Sequence, residues 1–596
     1  MRLPDTRRCA ADLNLSRVVV AALARIRARV AVSVDVDADA DGIAPCGALA
    51  HARGATCAMR RWNVNGRRRL TCRFVELSFV DKHAGGISRR SSARSARTKT
   101  TTGARMLFAR STAPTGDWRE VFQREFVDAL APNCSYAQTA KLLRRCVRTG
   151  AVSFFDIERN PEKFFEAHRM LAKRANDCGP GMWIRFTVQF NLCAGTVVAL
   201  ASKSQRVRLK EMQAKGKLGC FCLTERLAGV NSGLVVNTRA TYDRERRLFV
   251  IDSGGDDGTK NWISQGLTAD VAVVIAELVV DGKNYGPHGF FVRLRDKLGR
   301  LVRGVTVGDM GAKTTGNDLD NAWVRFDSFT VPHDALLNKY AGVDAETGAY
   351  TKKPGIRTMD MIGQRLFTGR VAVAQAALSF ARKLYDDTKV YSDAKKCTMR
   401  GSAPSLSNVP QLNSLYDEAY ATLARLDSYV KTCETELCAC LRAKTIPPAR
   451  LVQAIAVAKI KAVDTAIELT FRLKQEVGSY ALMSATGFDN TDFLQCCKFA
   501  EGDSRILSQK LARDCFGAFT KNEHGDTGVQ SEIELDLCQR IASIIDEQRA
   551  VNPKIGKIEA WDCAWREVYR LAEVICERVM HEHTPSGAHL AARSKL

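Results

Sequence analysis

Apolar positions along this chain change their spacing twice. From Asp117 to about Met212, "WREVFQREFVDAL", "AQTAKLLRRCVRTG", "PEKFFEAHRMLAKRAND" and "GTVVALASKSQRVRLKEMQAKGK" set apolar residues three and four apart with polar residues between them. That is the period of helices with one buried face. From Thr224 the pattern shortens: "GLVVNTRATYD", "RLFVIDS", "ADVAVVIAELVVDG", "HGFFVRLRD" and "NAWVRFDSFTVP" are short β-rich runs divided by Gly, Asn and Asp. They predict a compact β domain ending near Pro332. After "TGAYTKKPGI", which reads as a linker, the helical period returns over about 365–390, 411–443, 448–483 and 503–514. Helices of that length lying antiparallel make a bundle. "AWDCAWREVYRLAEVICERVM" reads as one more amphipathic helix. The predicted fold class is therefore α+β and multidomain: an N-terminal helical domain (106–218), a middle β-barrel or sandwich domain (219–345), a helical bundle (355–515) and a shorter C-terminal helical region (516–596).

Residues 1–105 stand apart. Lys and Arg outnumber Asp and Glu there by 21 to 8, and "GGISRRSSARSARTKTTTGAR" has almost no apolar side chains. Such a segment buries too little surface to offset its ordering entropy and is expected to be a disordered basic extension. It has the Arg and Ser content of a transit peptide, although acidic "VDVDADAD" speaks against that reading, and Met106 is a plausible alternative start. The extension holds about half of the chain's formal charge of +24. The rest is only moderately basic, which suits nucleic acid or a phosphate-rich coenzyme equally. The extension has few aromatic residues for stacking single strands, and no nucleic-acid partner is expected.

A length of 596 residues and 45% hydrophobic content imply several domains. Apolar runs such as "LSRVVVAALARIRARVAVSV" are broken by arginines, so no transmembrane segment is expected. The 20 cysteines form no paired CxxC sets, which predicts reduced thiols and no metal site. No glycine cluster has the strand–GxGxxG–helix context of a dinucleotide fingerprint.

One stretch raises a chemical question. In "CCKFAEGDSRILSQKLARD", Glu501 and Gly502 follow an apolar Phe499-Ala500 pair and precede a charged helix. A lone Glu is ordinarily solvated; in a dry pocket its pKa rises toward the range where it can take a proton.

The order helices, β domain, bundle, together with "LGCFCLTERLAGVNSGLVVNTRATYD", "YGPHGFFVRLRD", "GVTVGDMGAKTTGNDLDNAWVRFDSFTVP" and "LLNKYA", resembles the acyl-CoA oxidase and acyl-CoA dehydrogenase flavoenzymes over roughly 110–515, the oxidase branch most closely. The resemblance implies bound FAD, an acyl-CoA substrate and a homodimer. Glu501-Gly502 matches the family's catalytic Glu-Gly pair, implying that Glu501 removes the α-proton while the β-hydrogen leaves as hydride, giving a trans-2-enoyl-CoA. Thr224 in "LTE" matches a threonine at the flavin's pyrimidine edge. Trp262 and Ser264 in "KNWISQG" match the loop beside the flavin. Ser264 stands where typical oxidases have Gly and dehydrogenases have Ser or Thr, so the alternative of a dehydrogenase passing electrons to an electron-transferring flavoprotein stays open. Arg370 in "FTGRVAVAQAA" falls where the family has an arginine lining the CoA channel, although it also suits a solvated helix face. Lys395 in "YSDAKKC" stands where an arginine usually reaches a flavin phosphate of the neighbouring subunit; lysine keeps the charge without the bidentate fork. The ending Ser594-Lys595-Leu596 has the form of a receptor-read peroxisomal address, which agrees with a peroxisomal oxidase recognised by an import receptor.

Overall fold

The computed structural model describes residues 117–583, except 231, 357, 399–401, 524, 526 and 527, together with a strand pair, Trp62–Val64 and Arg67–Arg69. That pair belongs to a separate unit, Met1–Met106. The other expectations for residues 1–105, and those for Met106 and Ser594–Leu596, lie outside the described residues. From Asp117 onward the architecture follows the predicted class: helices, then strands, then a bundle.

The N-terminal helices end where their sequence dictates. Helix Tyr136–Thr149 starts at a capping box of Ser135 and Gln138 and stops at left-handed Gly150. Helix Gly181–Leu200 is long and apolar enough to cross a membrane, but 89% of its apolar window is buried inside the protein. Its first turn is capped from the β region. The Asp318 carboxylate accepts from the N–H groups of Gly181 and Met182 at 3.0 and 3.1 Å, and a Cβ at Gly181 would lie 2.3 Å from that carboxylate. The middle of this helix, Thr187–Gly195, is wound in the wider π form, a distortion frequent at functional sites. The helical pattern expected to run on to about Met212 is interrupted: it stops at Leu200 and resumes as Val207–Ala214. Gln205 is the reason, because its side chain donates to Asp334 O and Leu336 O and accepts from the Ser202 N–H.

The β domain is two sheets. Val271–Val280 is central in the larger one, with Gly219–Cys222 and Arg239–Asp243 parallel to it on one edge and Lys283–Arg293 antiparallel on the other. Leu248–Asp252 and Phe329–Pro332 extend the sheet. The run "VAVVIAELVV" is apolar at nearly every position because both faces are covered. Val271, Val273 and Ile275 pack into the helical core, whereas Ala272, Val274, Ala276 and Leu278 pack into the core between the sheets. The smaller sheet is Lys260–Ser264, Asn321–Phe326 and Val305–Asp309. The expected linker takes part in a short strand pair, Ala341–Val343 with Tyr350–Lys352.

The bundle helices are Thr358–Ala394, Pro410–Ala443 and Ala449–Val477. The third stops short of the expected 483 because Gly478 takes φ 61, ψ −137, where the chain leaves the α conformation. Helix Ser504–Lys521 outruns its expected end and stops at left-handed Asn522. The single C-terminal helix expected from the pattern is two, Lys557–Cys563 and Trp565–His583. At Ala564 the N–H bonds back to Trp561 O, a tight turn that leaves the Trp561 ring 5.5 Å from Phe516.

Candidate active site

Glu501 sits on the tight turn between helices Asp492–Phe499 and Ser504–Lys521. Both Glu501 (φ 58) and Gly502 (φ 95) are left-handed, a conformation that costs a non-glycine residue on the order of 1 kcal/mol and persists where its surroundings hold it. Two cations do so. Arg370 Nε donates to Glu501 O at 3.1 Å, and Lys459 Nζ donates to Lys498 O, Gly502 O and Ser504 Oγ at 2.6, 2.9 and 3.1 Å. The turn sends the carboxylate onto the first bundle helix at Gly369, where a Cβ would lie 2.1 Å from Cδ and 2.4 Å from each oxygen. Only glycine leaves that space.

The carboxylate is nearly dry. Asn191 Nδ2, on the π-wound turn of helix Gly181–Leu200, reaches Oε1 at 3.5 Å and donates to Arg365 O at 3.0 Å. Oε2 is buried with no partner, as is Asn191 Oδ1. Burial pushes the Glu501 carboxyl up to about 8, against the opposing pull of Arg370, the Asn191 hydrogen bond and Lys459. This is how a base that works near neutral pH is made. Burial also draws Arg370 down to about 10, with Glu501 opposing the shift. Arg370 is itself buried and bound to the Glu501 turn, a tighter arrangement than the solvated helix face its sequence also allowed.

The residues expected around a flavin gather at the rim of the smaller sheet. Thr224 is exposed just beyond strand Gly219–Cys222, and its carbonyl accepts from Asn261 N–H at 2.8 Å. The neighbouring Glu225 and Lys260 form a fully buried ion pair at 2.7 Å. Glu225 also accepts from the Thr238 N–H and hydroxyl, and Lys260 donates to Ile275 O. A buried pair satisfied on every side pins the Thr224 segment to the strand that carries Trp262 and Ser264. On that strand the register against Asn321–Phe326 slips between Ala322 and Val324. Trp262 takes φ 56 at the resulting bulge, and its ring is 56% exposed beside buried Ile263. Bulges re-aim side chains in this way. Ser264 Oγ accepts from Asn321 Nδ2 at 3.2 Å. The next residues are locked by Arg185–Asp320, a buried ion pair at 2.5 Å, with Asp320 also accepting from the Leu267 and Thr268 N–H groups.

Lys395 is not brought to this site within one chain. It is exposed just past the end of helix Thr358–Ala394, 25 residues beyond Arg370 and so about 37 Å along the axis.

Four contributors escaped sequence reasoning: Gly369, Asn191, Lys459 and the Glu225–Lys260 pair. Weak signals existed. Gly369 is a mid-helix glycine in "FTGRVAVA", Asn191 a polar residue in the apolar "VQFNLCAG", and Lys459 a charge on the apolar stripe of "AIAVAKIKAV".

No family model matches the chain. It is 28% identical over 329 residues to an acyl-coenzyme A oxidase of Saccharomyces cerevisiae, covering 51% of this chain and 44% of that protein. It is 27% identical over 412 residues to the peroxisomal acyl-coenzyme A oxidase 2 of Arabidopsis thaliana, covering 63% and 56%. The chain is similar in sequence to acyl-CoA oxidases. It spans about half the length of these curated relatives. The fold also matches the crystal structure of acyl-CoA oxidase-2 from Caenorhabditis elegans, described as bound with FAD, ascaroside-CoA and ATP, with a TM-score of 0.64, 18% identity and coverage of 80% of this chain and 76% of that one. At that identity the match concerns the fold alone.

Proposed function

We propose that this relative of the acyl-CoA oxidases is itself an FAD-dependent acyl-CoA oxidase that desaturates acyl-CoA to trans-2-enoyl-CoA and reduces O₂ to H₂O₂. The observation that carries the reading is Glu501: a dry carboxylate pushed up to about 8 by burial, seated on Gly369 and held on a strained turn by Arg370 and Lys459.

The work asked of the chain follows from the chemistry. The α-proton of a thioester is weakly acidic, so its acceptor needs raised basicity and a fixed position. Glu501 meets both needs, with Oε2 left free to receive the proton. Exposed Trp262, with Thr224 and Ser264, would form the wall against which an isoalloxazine ring is held. Bound there, FAD supplies the hydride acceptor and the route by which electrons reach O₂. The residues of the chain hold that wall rigid through Glu225–Lys260 and Arg185–Asp320. Arg370, expected beside the coenzyme channel, orients the base through its backbone carbonyl.

A homodimer goes with this reading, because exposed Lys395 is too distant to serve its own chain's site and suits a phosphate in a partner's. So does a peroxisomal location as the first step of fatty-acid β-oxidation, supported by the Ser594-Lys595-Leu596 sequence and by the peroxisomal plant relative. One observation favours a second reading, an acyl-CoA dehydrogenase served by an electron-transferring flavoprotein. Ser264 Oγ accepts its bond from Asn321, which leaves the hydroxyl proton available for a ring nitrogen.

The test is direct. Purified protein should be yellow and should produce peroxide from an acyl-CoA in air. A yellow protein that makes peroxide from no acyl-CoA, yet reduces a flavoprotein acceptor, would establish the second reading.

A further inference from the structure

Lys459 lies on the third bundle helix, Ala449–Val477, in an otherwise apolar stripe, and it is fully buried. An ammonium withdrawn from water is costly unless its donors are paired. All three are: they reach Lys498 O at 2.6 Å, Gly502 O at 2.9 Å and Ser504 Oγ at 3.1 Å. Lys498 O is among the last carbonyls of helix Asp492–Phe499, which lack partners within the helix and attract a cation. Ser504 is the first residue of the next helix. The three acceptors therefore bracket Glu501 on both sides.

Among the described residues, no carboxylate lies within ion-pairing distance of Lys459. Its buried charge faces Cys497 from helix Asp492–Phe499, Asp503 from the turn, Arg370 from the first bundle helix and Asp464 from its own helix. Asp464 is engaged by Lys498 at 2.6 Å. A structural lysine is more commonly ion-paired; this one is bound to two backbone carbonyls and one hydroxyl around a single turn.

We propose that Lys459 is a positioning residue for the proposed base: its buried ammonium ties the end of one helix, Gly502 and the start of the next into a clamp that holds the left-handed Glu501–Gly502 turn and so keeps the carboxylate on Gly369. The proposal rests on the reading of Glu501 as the base. A side chain that merely filled space would be replaceable by methionine of similar length, whereas a clamp would not. Losing the charge also removes one of the influences that favour ionised Glu501.

The experiment compares wild type with Lys459→Met, Lys459→Arg and Ser504→Ala. It measures flavin content, the anaerobic rate at which an acyl-CoA bleaches the flavin, and the substrate concentration for half-maximal rate. Lys459→Met should bind flavin and substrate as wild type does, but bleach more slowly by on the order of tenfold or more. Lys459→Arg should recover part of the rate. If Lys459→Met does not fold, Ser504→Ala, which removes one acceptor and no charge, carries the test with an expected slowing of about threefold at unchanged substrate affinity. A second readout needs no turnover. The infrared carbonyl band of protonated Glu501, identified by its loss in Glu501→Gln, should titrate at a higher pH in Lys459→Met than in wild type. Wild-type bleaching with an unmoved infrared midpoint would overturn the proposal, as would a loss confined to flavin content. If wild type is bleached by no acyl-CoA, the functional reading fails, and the infrared midpoint still decides whether Lys459 governs the Glu501 turn.

Discussion

Replacing Gly369 by alanine adds one methyl group beneath the carboxylate of Glu501. A Cβ built on Gly369 lies 2.1 Å from Cδ and 2.4 Å from both oxygens, whereas ordinary contact begins at 3.4 Å, so the carboxylate must withdraw by about 1.3 Å (3.4 − 2.1). The turn behind it cannot easily follow, because Arg370 and Lys459 hold its carbonyls. Misplacing a reacting group by about 1 Å costs on the order of 10²-fold in rate. The same change should leave stability nearly unaltered. Alanine gains about 1 kcal/mol of helix propensity over glycine at a helix interior, which roughly offsets the disturbed packing of one side-chain terminus. Gly369→Ala should therefore melt within a few degrees of wild type, retain flavin, and show an anaerobic bleaching rate lower by about 10²-fold. Stopped-flow bleaching with an acyl-CoA, beside thermal unfolding of the same samples, separates the two effects. Bleaching at the wild-type rate by a folded Gly369→Ala protein would refute the placement of the base.

Glu501→Gln should be more stable than wild type by a margin that depends on pH. The folded carboxyl titrates near 8 and the unfolded one near 4.5, so the stability of the protonated form is fully present below 4.5 and is lost as pH rises toward 8. At pH 7 the variant's advantage should be on the order of 3 kcal/mol; unfolding curves at pH 5, 6, 7 and 8 that keep a constant gap would contradict this. Lys260→Met leaves Glu225 buried and unpaired beside Thr224 and should cost about 3–5 kcal/mol, with loss of flavin; a cost below about 1 kcal/mol in urea unfolding would show the pair to be incidental. Reduced wild-type flavin should reoxidise quickly in air, and Ser264→Gly faster still. A wild type that stays reduced in oxygenated buffer until a flavoprotein acceptor is added would instead support a dehydrogenase.

The order of helices, strands and bundle was legible because the hydrophobic period changes with the element, from three and four residues in the helices to the short runs of the strands. The nearly continuous apolar character of Val271–Val280 even reflects its place between two cores. Helix ends were harder to read. The stop at Leu200 depends on Gln205 bonding to carbonyls about 130 residues away, and the break at Ala564 interrupts an unbroken amphipathic pattern. At the candidate site, Glu501 was reachable only through its resemblance to a family motif, since nothing local marks it as buried. Its dryness comes from Asn191, 310 residues earlier, and from a glycine on another helix. Such contacts leave at most a faint trace in sequence, a polar residue or a glycine in an apolar run.

In the proposed reaction Glu501 takes a proton from an acyl-CoA bound beside a flavin. Its most direct test is the anaerobic absorbance of the purified protein on mixing with a saturated acyl-CoA, for wild type and Glu501→Gln side by side. The wild-type flavin band should bleach as enoyl-CoA forms, faster as pH rises toward 8, and Glu501→Gln, with flavin bound, should not bleach. Bleaching of Glu501→Gln at a rate near that of wild type would contradict the proposed reaction.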